Sequence, residues 1–309
     1  MEILNLDDII FLPFPCVVTI GMFDGVHKGH KFMLQDLRQR AQNFGAKSVV
    51  VTFSNHPREV LDSKQEQNPI ELIQSKQERY NKIAEQGVDY IFEVFFTKEF
   101  AKISPKEFLN ILQKKTILKA LVLGYDNSFG NPNNTEFKEI ISEGKYLSTQ
   151  IIQDKNTMYE QEIEISSSAI RKAIKNGNIV LANKMLEEEF SIYSNITKGY
   201  QIGRSLGFPT ANIQIPTKKI VPKNGVYATR VLYKNRLYNS VTNIGTRPTF
   251  ERKDRSIETF IFDFNEEIYN ENIRLFFVDY LREERKFEDK SLLIGQMKID
   301  IENAKKVLA

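Results

Sequence analysis

Val17-Val18-Thr19-Ile20-Gly21-Met22-Phe23-Asp24-Gly25-Val26-His27-Lys28-Gly29-His30 decides how the first half of the chain is read. Residues 17–20 form a buried strand, glycines follow, and a helix is expected over about 31–44. Gly25 and Gly29 let backbone approach a ligand closely, and the free N–H groups of a helix start attract phosphate. His27 and His30 are two of only three histidines in the chain. Three positions apart on a helix they share a face. Both imidazoles can then address one anion and stabilise charge on a transferring phosphoryl group.

Outward from this stretch, short apolar runs at 48–53, 90–92 and 120–124 alternate with helical segments at about 70–86 and 105–115. That alternation predicts a parallel α/β sheet. Ligands of such sheets bind at the carboxyl ends of strands, where Gly21 and Gly124 fall. Helices are expected at 168–176, stopped by Gly177, and at 179–189. From Tyr193 the pattern turns to β, with runs at 226–231, 237–242, 257–262 and 273–278 at barrel-like spacing, and a last amphipathic helix at 290–308. The expected division is near Glu187, into modules 1–186 and 187–309.

The 309 residues suit two domains, and 41% hydrophobic with 27% charged residues is ordinary for globular proteins. A net charge of +3 with Lys and Glu interspersed suits small anionic substrates and lacks the basic stripe of a nucleic-acid binder. Cys16 is the only cysteine, so no internal disulfide forms and a reducing compartment is expected. No run approaches a membrane span, and no basic region precedes an apolar run at the start. A cytoplasmic location is expected.

A second constellation is Gly199-Tyr200-Gln201-Ile202-Gly203-Arg204-Ser205-Leu206-Gly207-Phe208-Pro209-Thr210-Ala211-Asn212. It is not a Walker A loop, because three residues separate Gly199 from Gly203 and Arg204 stands in place of the lysine. A glycine-rich flap over phosphates remains open to it. Thr210 and Asn212 face one side of an extended strand, and their oxygens suit Mg²⁺. Local pattern alone equally allows a hairpin with a polar solvent face.

These motifs resemble a known family. The stretch at 21–30 is similar to the H-x-G-H motif of nucleotidyltransferases and, at full length, to bacterial FAD synthetases. Similar to the same family are Thr52-Phe53-Ser54-Asn55-His56-Pro57-Arg58-Glu59, Gly124-Tyr125-Asp126-Asn127-Ser128-Phe129-Gly130 and Ile165-Ser166-Ser167-Ser168-Ala169-Ile170-Arg171. Residues 206–212, 225–228, 243–250, 257–264 and 281–287 resemble riboflavin kinases in the same order. Together the chain resembles the bifunctional riboflavin kinase/FAD synthetases over nearly its whole length. The resemblance implies a Rossmann-like N-terminal nucleotidyltransferase domain. It also implies a C-terminal six-stranded antiparallel β-barrel with a C-terminal helix.

It also implies two reactions with ATP and Mg²⁺. Riboflavin becomes FMN with release of ADP, and FMN becomes FAD with release of pyrophosphate. For adenylylation, Phe23, Asp24, Gly25, His27, His30, Asp126, Ser167, Ser168 and Arg171 are expected on ATP, and His56, Pro57 and Arg58 on the flavin. His27 and His30 would act on the α- and β-phosphates. For phosphorylation, Gly199, Arg204, Thr210, Asn212, Ile261 and Tyr269 are expected on ATP, with Thr210 and Asn212 on the metal. Glu258 would be the catalytic base, and Arg282, Arg285 and Phe287 would line the flavin side. From residue types alone, Arg282 and Arg285 read equally as a solvated charge run paired with Glu. Departures from the family pattern are Asn127, Asn134, Asn270 and the run Leu186-Glu187-Glu188-Glu189. Rival readings are a chain with one competent module, an adenylyltransferase for a pantetheine or nicotinamide phosphate, and a flavin-binding regulator without catalysis.

Overall fold

The computed structural model describes residues 1–62, 70–124, 135–153, 157–198, 207–248 and 253–309. The chain divides into two compact units, Met1–Ser166 and Ser167–Ala309.

In the first unit the described strands are β1 (Glu2–Asn5), β2 (Leu12–Ile20), β3 (Lys47–Phe53), β4 (Tyr90–Val94), β5 (Thr116–Leu123), β6 (Lys145–Tyr146) and β7 (Thr149–Gln153). They form a sheet of order β1-β4-β3-β2-β5-β7-β6, parallel except for β6 on β7. The helices are α1 (Lys28–Asn43), α2 (Pro57–Leu61), α3 (Lys76–Glu85), α4 (Pro105–Lys115) and α5 (Thr135–Glu143). Strand residues alternate between two cores. Val18, Val49, Val51 and Leu121 pack with Phe108, Leu109 and Leu112 of α4. Val17, Val50, Ile91 and Val122 pack with Leu34 and Leu37 of α1. Both faces are covered, which is why these strands read as unbroken apolar runs.

Two helix starts are written plainly in the sequence. Ser75 and Glu78 exchange capping hydrogen bonds at α3, and Ser104 and Glu107 do so at α4, where Pro105 takes the first position. The sheet reverses its order of growth beside β2. β3 lies on one side of β2 and β5 on the other, so the carboxyl ends of β2 and β5 frame the ligand crevice of an open α/β sheet.

A small hairpin, β8 (Tyr159–Glu160) with β9 (Ile163–Glu164), precedes the second unit. That unit opens with α6 (Ser167–Lys175) and α7 (Ile179–Leu186). Its strands β10 (Ser191–Thr197), β11 (Ala211–Ile213), β12 (Gly225–Tyr233), β13 (Arg236–Pro248), β14 (Lys253–Ile261) and β15 (Asn272–Arg282) close an antiparallel barrel. The order is β10-β11-β14-β13-β12-β15. Helix α8 (Lys290–Leu308) lays Ala304 and Leu308 on Ala228 and Phe262 of the barrel's outer face. Inside the barrel, Thr229 bonds Ser240 at 2.8 Å and Thr242 at 2.7 Å, and Thr242 bonds Thr259 at 2.9 Å. These buried hydroxyls satisfy one another, as burial demands.

The sequence reading puts the module division near Glu187, whereas the compact units divide between Ser166 and Ser167. Backbone contacts explain the difference. Lys223 N donates to Ile174 O, Asn183 Nδ2 donates to Phe277 O, and Phe190 N donates to Asn183 Oδ1, so α6 and α7 are held by the barrel. The helix expected to reach 189 stops at Leu186 because Glu187 turns left-handed at φ +57°. Glu189 then pairs with Arg230. Asn270 is also left-handed, at φ +62°, so the asparagine occupies backbone that favours glycine.

Gly225 has φ +148°, and a Cβ there would lie 2.5 Å from Tyr280 Cε2 and 2.6 Å from the Arg282 carbonyl oxygen. Gly225→Ala is expected to destabilise the barrel by about 1–3 kcal/mol, read as a lower denaturant midpoint at unchanged slope.

Candidate functional site

The turn after β2 carries unusual backbone. Phe23 and Val26 are left-handed at φ +54° and +37°, and Gly25 sits at +91°. Non-glycine residues persist there only when their surroundings fix them. Phe23 and Val26 are buried in the core beneath α1. Asp24 is 1% exposed, and its carboxylate accepts from Ile73 N and Gln74 N at 3.0–3.1 Å. The Phe23 and Asp24 side chains therefore fix the turn from behind rather than face outward.

α1 begins at Lys28, earlier than the sequence suggests, with His27 as its cap. His30 N donates to His27 Nδ1 at 3.4 Å, and the two rings stack with centroids 3.6 Å apart and planes 20° apart. The histidines do meet, through capping and stacking rather than a shared helix face. His30 packs on Phe23 with centroids 5.1 Å apart, and its Nδ1 is buried with no hydrogen-bond partner. Burial, and then the nearby His27, hold the His30 pKa well below its ordinary 6.5. His30 is thus held neutral at a helix N-terminus, which supplies N–H donors and the positive end of the dipole.

Beyond β3, His56 caps α2, its Nδ1 accepting from Arg58 N at 3.1 Å, and Pro57 takes the first helical position. Asn55 exchanges hydrogen bonds with the backbone of Phe96 at 2.8 and 2.9 Å, which fastens this segment to the chain after β4. Arg58 is exposed. Ser167, Ser168 and Arg171 open α6, in the second unit. Asp126, Asn127, Asn134, Gly199 and Arg204 lie outside the described residues.

In the barrel, register builds a polar row. Asn212 on β11 stands opposite Glu258 on β14, and Glu258 stands opposite Asn243 on β13. Directly paired residues point to the same face. Two cavities flank this row. One, of about 350 Å³, is lined by Pro209, Thr210, Ile261, Ile268 and Tyr269. The other, of about 270 Å³, is lined by Thr210, Asn243, Glu258, Arg282, Arg285 and Phe287. Thr210 borders both. Thr210 offers a hydroxyl and Asn212 a carboxamide oxygen. Among the described residues no group of three or more His, Cys, Asp or Glu could hold a metal. A hard cation kept mainly by phosphate oxygens fits that donor set.

The arginines beside the second cavity are not a charge run paired with Glu. Arg282 Nε and Nη2 donate to Asp300 Oδ1 and Oδ2 at 2.8 and 2.6 Å, a bidentate pair with a carboxylate on α8 that is 5% exposed. Gln296 Nε2 donates to the same carboxylate at 2.7 Å, Arg285 Nη2 donates to Gln296, and the Arg285 guanidinium lies 4.9 Å from the centre of the Phe287 ring. Arg282 therefore walls the cavity while its fork faces Asp300. Sequence reading gave no role to Asn243 or Asp300. Asn243 meets Glu258 only through strand register, and Asp300 meets its partner eighteen positions away. It likewise gave none to the 264–268 turn, whose residues line the larger cavity.

Two family models match the chain, FAD synthetase over residues 12–169 and riboflavin kinase over residues 186–308. A bifunctional riboflavin kinase/FMN adenylyltransferase of Bacillus subtilis (strain 168) is 35% identical over 293 residues, covering 93% of this chain and 91% of the relative. One of Escherichia coli (strain K12) is 32% identical over 287 residues, covering 92% and 90%. A crystal structure titled macrolide-efflux protein from Streptococcus pneumoniae superposes with a TM-score of 0.87 at 29% identity, covering 99% of this chain and 98% of that one. Among the described residues no helix is long and apolar enough to cross a membrane.

Unfolded His30 binds a proton near 6.5 whereas the folded ring binds one only well below that value. The unfolded state therefore gains protons first, and stability falls as pH drops below about 6.5. In denaturant melts across pH 5–8, His30→Gln is expected to flatten that part of the profile.

Proposed function

Because the chain belongs to the bifunctional riboflavin kinase/FMN adenylyltransferase family, we propose a division of its two reactions between residues 1–186 and 187–309. The chain phosphorylates riboflavin to FMN with ATP and adenylylates FMN to FAD with ATP. We assign adenylylation to the turn at 21–30 and phosphorylation to the polar row on the barrel.

In the kinase reaction the ATP phosphates lie along the cavity of Thr210, Ile261 and Tyr269, and riboflavin lies in the cavity of Arg285 and Phe287. The observation that carries this reading is that Thr210 borders both cavities beside Glu258. The γ-phosphate of one substrate and the hydroxyl of the other then meet at one point. Glu258 accepts the proton of the riboflavin 5′-hydroxyl as its oxygen attacks the γ-phosphorus, and ADP leaves. Thr210 and Asn212 are the residues that would hold Mg²⁺, whose charge offsets that of the phosphates. Positioning and charge neutralisation do most of the work in such transfers.

In the adenylylation an oxygen of the FMN phosphate attacks the α-phosphorus of ATP and pyrophosphate leaves. His27, the neutral His30 and the N–H groups at the start of α1 orient the triphosphate and stabilise its developing charge. His56, Pro57 and Arg58, at the end of β3, are proposed on the flavin side. The lone buried thiol of Cys16 supports a reducing, cytoplasmic setting.

Glu258→Gln is expected to abolish FMN formation while FMN-to-FAD conversion persists, in chromatographic assays of one purified sample. An equal fall in both activities contradicts the division. His30→Ala is expected to lower adenylylation at least about tenfold, within the usual range for such groups, and to leave riboflavin phosphorylation unchanged.

A further inference from the structure

Arg79 lies in the middle of α3, in a stretch with the composition of a solvated helix, yet it is 1% exposed. Its Nη2 donates to the carbonyl oxygen of Phe53, the last residue of β3, and its Nη1 lies 3.6 Å from Met22 Sδ in the turn after β2. The guanidinium carbon stands 5.3 Å from the centre of the Tyr80 ring, and Tyr80 Oη donates to Glu93 Oε1 at 2.9 Å. The carboxylates of Asp24 and Glu93 lie within electrostatic reach. Burial works against the guanidinium charge, and Tyr80, Asp24 and Glu93 work for it. Its Nε is buried without a hydrogen-bond partner.

Fold stability alone does not favour this arrangement. An apolar side chain of the same volume generally stabilises a buried site as well as a charged pair does, or better. What the arginine adds is connection. Met22 immediately precedes Phe23, the first left-handed residue of the phosphate-binding turn, and Phe53 ends the strand that leads into His56, Pro57 and Arg58, the residues proposed on the flavin. Asp24, within reach of the same cation, holds the amides of Ile73 and Gln74 just before α3.

We infer that Arg79 is a positioning residue for adenylylation, a buried cation that fixes the ATP-binding turn after β2 against the flavin-binding segment after β3. This rests on the assignment of adenylylation to those two segments. Arg79 touches neither substrate. It sets the distance and angle between the FMN phosphate oxygen and the α-phosphorus, and a misplacement of about 1 Å in such a pair costs on the order of a hundredfold in rate. Its loss therefore lowers kcat for adenylylation while each substrate's KM, set by contacts within one segment, changes little.

The test uses the full chain as wild type, Arg79→Met, Arg79→Lys and His30→Ala, with both activities measured on each sample. Expected for Arg79→Met is a fall in FMN-to-FAD kcat of about ten- to a hundredfold. KM for FMN and for ATP should stay within about threefold, and riboflavin phosphorylation should be unchanged. Arg79→Lys restores the charge but not the fork, and recovers part of kcat. Should Arg79→Met not fold, Arg79→Lys alone decides, by a lowered kcat at constant KM. Overturning results are an unchanged kcat, or a KM increase that accounts for the whole loss. If His30→Ala adenylylates normally, the assignment of the site itself fails. If His30→Ala is impaired and both Arg79 variants are normal, only the role of Arg79 fails.

Discussion

The kinase half depends on one constraint, the register of a closed barrel. Asn212, Glu258 and Asn243 come from three strands far apart in sequence, and they align only because β11, β14 and β13 pair as they do. A slip of one residue would turn Glu258 to the barrel interior and Thr259 to the site. The interior hydroxyl chain Thr259–Thr242–Thr229–Ser240 opposes that slip, since a shift would leave buried hydroxyls unpaired or bury a carboxylate. Closure also leaves no free edge. The polar core and the polar row are thus two faces of one register.

The two halves handle the same triphosphate by different physics. The parallel sheet offers a helix start, left-handed backbone and a stacked imidazole pair whose His30 is kept neutral by burial. Its donors are dipoles held in place by Asp24 and the core. The barrel offers oxygen ligands and a carboxylate beside two adjoining cavities. The first arrangement suits charge building on phosphate oxygens next to the sugar, and the second suits removal of a proton from an alcohol at the far end of the chain of phosphates. The Asp300–Arg282 pair serves the second arrangement by joining α8 to the wall of the smaller cavity, while Arg285 lies against Phe287.

Much of this was legible in the sequence for definable reasons. Apolar runs buried on both faces revealed β2, β3, β4 and β5, and Pro105 marked the start of α4, whereas the helix expected from about residue 70 begins at Lys76, where Ser75 caps it. The spacing of Gly25, His27, Gly29 and His30 pointed to the tight turn and helix start that follow β2. Less legible was whatever depends on partners distant in the chain. His27 as a cap was hidden because Lys28 and Gly29 are indifferent helix openers, and nothing near Asp24 announces its partners at 73 and 74. The bidentate partner of Arg282 was hidden because nothing nearby announces Asp300. The short strands β1, β6 and β11 carry too few residues to show a period. The helices α6 and α7 read as part of the first half because chain order, not contact, was all the sequence offered.

The central claim is that Thr210 stands where the two substrates of phosphorylation meet. The most direct measurement is a crystal structure of the chain with a non-hydrolysable ATP analogue, Mg²⁺ and riboflavin. The terminal phosphate is expected beside Thr210 and Asn212, the flavin ring against Phe287, and the 5′-hydroxyl within hydrogen-bond reach of Glu258. A terminal phosphate out of reach of Thr210, or a flavin in the cavity of Ile261 and Tyr269, would contradict it.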